Sequence, residues 1–159
     1  MAAERGLIAI TGASSGIGAA LARSFAADGH SVLLMARRVQ KLEALGLPNA
    51  VCAKVDVADF DAVSNAVAQA QDRLGPLDAM INNAGLMQLG PIEAQDPAEW
   101  RAMLDTNVLG VLNGCRVALD SMLARESGTI INISSIAGRK TFPNHAAYVG
   151  TKFAVHGIS

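Results

Sequence analysis

Five short apolar runs, four of them followed by a stretch with helical spacing, constrain this 159-residue chain more tightly than any other feature. The runs are LIAIT (7–11), SVLLMA (31–36), AVCAKV (50–55), DAMIN (78–82) and TIINIS (129–134). Continuous apolar character over so few residues suits strands covered on both faces, as in a parallel sheet. Segments at about 16–28, 38–45, 59–74 and 97–125 carry helical spacing, and Asp28-Gly29, Leu74-Gly75-Pro76 and Ser127-Gly128 supply their stop signals. Right-handed crossovers are the easy way to join parallel strands. The pattern therefore predicts an α/β fold, a doubly wound parallel sheet of about five strands with flanking helices, in a single domain over 1–159. The longest irregular stretch, roughly 83–96, follows the fourth strand at the carboxyl edge, where such sheets bind ligands.

Charge narrows the partners. The net charge is −1, and no run of basic residues could neutralise a phosphate backbone or an anionic membrane surface, so no nucleic acid is expected. No apolar run approaches the ~18 residues that span a bilayer. The N-terminus MAAERGLIAITGA has neither a basic leader nor a long apolar segment, which predicts a cytoplasmic protein with no membrane partner. Cys52 and Cys115 fall in apolar, periodic segments without a CxxC partner and are expected to be buried, reduced thiols. His30, His145 and His156 are too scattered for metal-ligand spacing, and no metal is expected.

Directly after the first strand comes TGASSGIG, whose Gly12, Gly16 and Gly18 lead into a helix. One glycine can take the positive φ of a tight turn, another lets backbone N–H groups approach a pyrophosphate, and a third lets the helix pack close to the sheet. A strand-to-helix turn that merely needs glycine is the plainer account; the position after strand one favours a Rossmann-type dinucleotide site. An acid at the end of the second strand would pair with the ribose 2′-OH of NAD. The chain has instead Ala36, Arg37 and Arg38, and a guanidinium suits a 2′-phosphate through paired, charge-assisted hydrogen bonds. NADP is the expected cofactor, with NAD as the alternative if both arginines are simply solvated.

The only tyrosine, Tyr148, precedes Lys152 by four residues, so the two share a helix face. A phenol is a poor base near neutrality, but an ammonium ~4 Å away at an effective dielectric of ~20 favours the phenolate by about 4 kcal/mol, an upper estimate. That brings the pair within reach of general acid–base work. Ser134, at the end of the fifth strand, would place a hydroxyl at the same carboxyl edge as the glycine loop, where it could hold a carbonyl oxygen on which charge develops. Taken alone it reads as an ordinary strand-end hydroxyl.

TGASSGIG, NNAG, NISS and YVGTK occur in the order and setting of the short-chain dehydrogenases/reductases, and the chain resembles that family, in its reductase/dehydrogenase branch, along its whole length. The resemblance implies that Tyr148 is the acid/base, that Lys152 assists it and holds the nicotinamide ribose, and that Ser134 orients the substrate carbonyl. Asn107 matches the family's fourth catalytic position, an asparagine that holds a proton-relay water, and nearby Gly110 and Gly114 could allow the helix distortion this needs. A polar residue on an exposed helix face is the other account of Asn107. Gly12, Ser14, Ser15, Gly16, Ile17 and Gly18 would cradle the cofactor, with Asp56 and Val57 beside its adenine. Asn82, Asn83, Ala84 and Gly85 would steady the sheet and line the groove.

These residues predict interconversion of a small-molecule carbonyl and alcohol by hydride transfer, with a dinucleotide-binding protein without turnover as the alternative. Leu86, Met87, Leu89, Phe142 and Pro143 hint at an apolar lining. The family commonly assembles as dimers or tetramers, so a homo-oligomer is expected. Family members also continue beyond the tyrosine helix with two more strands and a substrate-covering segment, so the sheet is expected to be incomplete at its C-terminal edge, leaving TIINIS without a neighbour.

Overall fold

The computed structural model describes residues 6–159; the N-terminal reading falls partly on residues 1–5, outside the described residues. Its five parallel strands are β1 (Leu7–Thr11), β2 (Ser31–Ala36), β3 (Ala50–Lys54), β4 (Leu77–Asn82) and β5 (Thr129–Asn132), in the order β3-β2-β1-β4-β5. The helices are α1 (Gly16–Ala27), α2 (Val39–Glu43), α3 (Phe60–Leu74), α4 (Pro97–Leu104), α5 (Gly110–Arg125) and α6 (Ala146–Ile158). The chain runs outward from β1 to β3 and then returns to build on the other side of β1. The crevice between the ends of β1 and β4 is therefore the switch point at which doubly wound sheets bind ligands.

The apolar runs are continuous because both sheet faces are covered. Leu7, Ala9, Leu33, Met35 and Met80 point to one face, against Val63, Val67 and Ala70 of α3 and Val117, Ala118 and Met122 of α5. Ile8, Ile10, Val32, Leu34 and Ile81 point to the other, against Ala22 and Ala26 of α1 and Leu42 of α2. Successive side chains alternate across a strand, so one run feeds two cores. Each fully buried leucine or isoleucine contributes about 1.5–3 kcal/mol. Two of the three expected stop signals act as such, since α1 ends at Asp28 with Gly29 at φ 86° and α3 at Gly75 with φ 91°; α5 instead ends at Arg125, where Glu126 takes φ 52° ahead of Ser127-Gly128. Asp59 and Asp96 cap the starts of α3 and α4 by accepting from the Ala62 and Ala98 N–H groups.

Four expectations need correction. The helix expected across 97–125 is broken by a π-turn at Asp105–Leu109. β3 and β5 stop short of Val55 and Ser134; Ile133 N–H still donates to Asn82 O at 2.9 Å, after which the chain turns away through a 3₁₀ turn at Ile136–Gly138 that the sequence reading missed. Those two strands are also not fully buried, because each lies at a sheet edge, and Ile131 is 41% exposed. Cys52 and Cys115 are free but half-buried rather than buried; Cys115 Sγ lies 3.5 Å from both Asn82 Nδ2 and Asn132 Oδ1.

Candidate active site

At the β1–β4 crevice the strand ends are stitched by side chains. The Thr11 hydroxyl accepts from the N–H groups of Asn83 (2.9 Å) and Ala84 (3.0 Å), and Asn83 Nδ2 donates back to Thr11 O at 2.9 Å. Gly12 follows at φ 65°, and a Cβ there would come within 2.7 Å of Ala84 Cα, so both its conformation and the close approach of the two loops require glycine. Gly18 is buried beneath, where a Cβ would meet Gly12 O at 2.5 Å. Asn82 Nδ2 donates to Asn132 Oδ1 at 2.9 Å, which ties β4 to β5. Thr11 is a site residue the sequence reading passed over; its place between LIAI and the first glycine was the available signal.

A groove of about 310 Å³ opens above these strand ends. Gly12, Ser14, Ser15 and Ile17 form its floor at the start of α1, and Arg37 and Arg38 stand at the end of β2. Asp56 and Val57 line it after β3, and Asn83, Ala84 and Gly85 after β4; Val55, Leu86 and Thr106 join them. Gly16 and Gly18 of the expected set, together with Tyr148 and Lys152, lie outside this lining. Asp56 and Val57 are also anchored structurally. Asp56 Oδ1 accepts from Ala58 N–H at 3.1 Å, and Val57 O accepts from Asn113 Nδ2 at 2.8 Å.

The groove fits a phosphorylated dinucleotide. Gly16, at φ 55° and with no heavy atom within 4 Å of where a Cβ would stand, leaves the start of α1 open. The first turn of α1 carries no acid to compete with an anion for its free N–H groups. Arg37 and Arg38 are exposed, and neither pairs with a carboxylate among the described residues.

Past the groove, α6 presents Tyr148 and Lys152. Lys152 is only 5% exposed, and its Nζ donates to Ile133 O at 2.8 Å and lies 5.9 Å from the centre of the Tyr148 ring. Burial lowers its pKa below the ordinary lysine value. A Cβ on Gly85 would stand 3.7 Å from Lys152 Nζ and 3.8 Å from Asn107 Oδ1, so the ammonium adjoins the inner end of the groove. The Ser134 hydroxyl lies two residues past β5 and donates to Lys152 O at 3.1 Å. Gly138 makes that approach possible, since a Cβ there would meet Ser134 Oγ at 2.5 Å.

Asn107 sits inside the π-turn and is fully buried, which removes the exposed-face account. Its Oδ1 accepts from Leu86 N–H at 2.7 Å, and its Nδ2 donates to Leu86 O (2.8 Å) and to Thr151 Oγ1 (3.0 Å). Thr151 in turn donates to Tyr148 O at 2.7 Å. Asn107 thus clamps the loop after β4 to the helix that carries Tyr148 and Lys152, through a residue the sequence reading did not select. Gly110 and Gly114 serve packing. A Cβ on Gly110 would meet Val57 Cγ2 at 2.5 Å, and one on Gly114 would collide with Asn82. The distortion itself falls in the turn before Gly110, where the ladder widens to i→i+5.

A doubly wound sheet with a glycine loop at its switch point and a tyrosine–lysine pair on a helix beside it defines a dinucleotide-site architecture, and the comparisons resolve it further. Residues 6–159 match the short chain dehydrogenase family, and the chain belongs to that family. It is 42% identical to an oxidoreductase of Listeria monocytogenes over 99% of this chain and 66% of that protein. A crystal structure of a short-chain dehydrogenase from Streptomyces avermitilis superposes with a TM-score of 0.93 at 34% identity, over 100% of this chain and 60% of that one. An alcohol dehydrogenase from the archaeon Thermococcus sibiricus, solved with 5-hydroxy-NADP, gives 0.90 at 30% identity, over 98% and 68%. The chain spans about two thirds of the length of the Listeria protein.

Proposed function

We propose that the protein is an NADP(H)-dependent oxidoreductase that interconverts a carbonyl and an alcohol on a small molecule. The observation that carries this reading is the position of Lys152. One buried ammonium adjoins both the inner end of the dinucleotide groove, at Gly85, and the Tyr148 ring. Gly12, Ser14, Ser15, Gly16, Ile17 and Gly18 form the pyrophosphate cradle, Arg37 and Arg38 take the 2′-phosphate, and Asp56 and Val57 flank the adenine. Asn83, Ala84 and Gly85 line the inner groove. When bound, the cofactor supplies the hydride.

The chain's own residues do the rest. Ser134 turns its hydroxyl from Lys152 O to the substrate oxygen and holds it while charge develops there. Tyr148 gives that oxygen its proton in the reductive direction, and the Lys152 ammonium stabilises the phenolate left behind. Asn107 and Thr151 fix the distance between the Leu86 loop and the tyrosine helix, and the π-turn at Asn107 supplies backbone for a proton-relay water. We place this enzyme in the cytoplasm as a homo-oligomer with 1–159 as its dinucleotide-binding domain. Among the described residues no helix is long and apolar enough to cross a membrane.

Tyr148→Phe tests the reading. It keeps the ring and removes the transferable proton, so turnover should fall at least about a thousandfold while NADPH affinity stays within about twofold. Substantial turnover by the variant takes Tyr148 out of the mechanism.

A further inference from the structure

All fourteen acidic residues of the chain lie at or before Glu126, whereas Arg139, Lys140 and Lys152 follow it. The segment from Ser127 to Ser159, which contains Ser134 and Tyr148, therefore carries cationic side chains and no acidic one. The facing loop after β4 is also free of acids from Ala79 to Ile92, with Glu93 and Asp96 the first beyond it. Lys152 has a role in the proposed mechanism, but Lys140 does not. It is exposed and makes no ion pair among the described residues.

Lys140 lies beside an aromatic pair. Its Nζ stands 5.8 Å from the centre of the Phe142 ring, and that ring lies 5.7 Å from the His145 ring in a tilted contact. His145 Nδ1 lies 2.6 Å from Pro143 O, which anchors the stack to the start of α6. His145, Tyr148 and Lys152 are spaced i, i+3 and i+7, so they share one face of the helix. Gly90 N–H donates to Asn144 O at 3.0 Å, bringing Leu89, 49% exposed, to the same place. The loop between Gly138, which abuts Ser134, and the start of the tyrosine helix thus combines an ammonium without an ion pair among the described residues with apolar surface. Such a surface suits a ligand with an apolar body and an anionic end.

We propose that Lys140 forms an anion subsite and that the substrate is a carbonyl compound, or its alcohol, bearing a carboxylate or a similar anionic group. The inference rests on the oxidoreductase reading above. It is tested with matched substrates, an aliphatic ω-oxo carboxylate and its methyl ester, each assayed with NADPH. The purified protein should prefer the carboxylate by about tenfold or more in kcat/KM, chiefly through KM. Lys140→Met should remove most of that preference while leaving the ester within about twofold, and Lys140→Arg should restore it. The unchanged ester rate excludes a folding defect in the variant. Equal rates on acid and ester, or a preference that Lys140→Met leaves intact, would overturn the subsite and leave the oxidoreductase reading standing. No turnover of either compound would also remove the subsite, and an NADPH fluorescence titration would then show whether the cofactor reading falls with it.

Discussion

The two halves of the sheet's carboxyl edge are assembled by different means. On the β1–β2–β3 side the groove is made by short contiguous stretches, the glycine loop, the Arg37–Arg38 pair and the Asp56–Val57 turn, each delivered by the strand directly before it. On the β4–β5 side the site depends on side chains that reach across the fold. Asn107 joins Leu86 to Thr151, and Ser134 and Ile133 join β5 to Lys152. Under the proposed function the first half needs few side-chain contacts, because backbone N–H groups and two exposed cations would do the binding. The second half requires a chain of buried hydrogen bonds, in which one lost partner strands the others. Substitutions in the first half should therefore alter which ligand binds, and those in the second should alter how well the site is built.

The largest expected effect that tests this division is a cofactor switch. Ala36→Asp combined with Arg37→Ser replaces the cation proposed to hold the 2′-phosphate with a carboxylate that accepts from a 2′-OH and repels a 2′-phosphate. The ratio of NADPH to NADH dissociation constants should move towards NADH by roughly 30- to 1,000-fold. Arg37 is exposed and makes no ion pair among the described residues, whereas Ala36 is buried against the core, so any fall in melting temperature is expected from the new carboxylate at position 36 and not from the loss of Arg37. An unchanged ratio would make the arginines plain surface charges.

A smaller effect probes the other half. Thr151→Val keeps the volume of a side chain that is 1% exposed but deletes the hydroxyl between Asn107 Nδ2 and Tyr148 O. Leaving a buried amide donor unsatisfied costs about 1–3 kcal/mol. The variant should lose about that much stability and about tenfold in kcat, with little change in KM or NADPH affinity; Thr151→Ser should recover both. A stability loss with full kcat would make Thr151 structural only.

The same division explains what the sequence revealed. The strands, their parallel pairing and the groove residues follow from local patterns, since an apolar run buried on both faces or a glycine at positive φ leaves its mark within a few residues. The π-turn at Asp105–Leu109 did not, because Asp-Thr-Asn-Val-Leu has no breaker and continues the helical spacing. Its cause is distant: Asn107 is turned inward by Leu86, 21 residues before it, and by Thr151, 44 after it. Thr151 was hidden for the same reason. Between Tyr148 and Lys152 it reads as a small helical residue, and only the folded chain shows its hydroxyl shared between two elements. The edge strand β5 was half legible, as an apolar run without a neighbour.

The smallest expected effect concerns Lys152, where both kinds of assembly meet. Burial lowers its pKa, so the folded protein holds this proton less tightly than the unfolded chain does. Below the depressed folded value both states are protonated, and the cost of burying the charge is constant. As pH rises from that value to the ordinary 10.5, the unfolded state binds more protons than the folded one, so stability rises with pH across this window. Lys152→Met removes the buried charge and also the donor to Ile133 O. The two changes oppose each other, and at pH 7 the variant should unfold within a few degrees of the wild type despite losing activity. Between pH 7 and pH 10 the difference in unfolding free energy should shift in favour of the wild type, because only its lysine sheds the penalty. Other titrating groups are common to both proteins and cancel in that difference. Urea denaturation of the pair at both pH values measures it, and a difference that does not move with pH would mean that the Lys152 ammonium is well solvated in the fold.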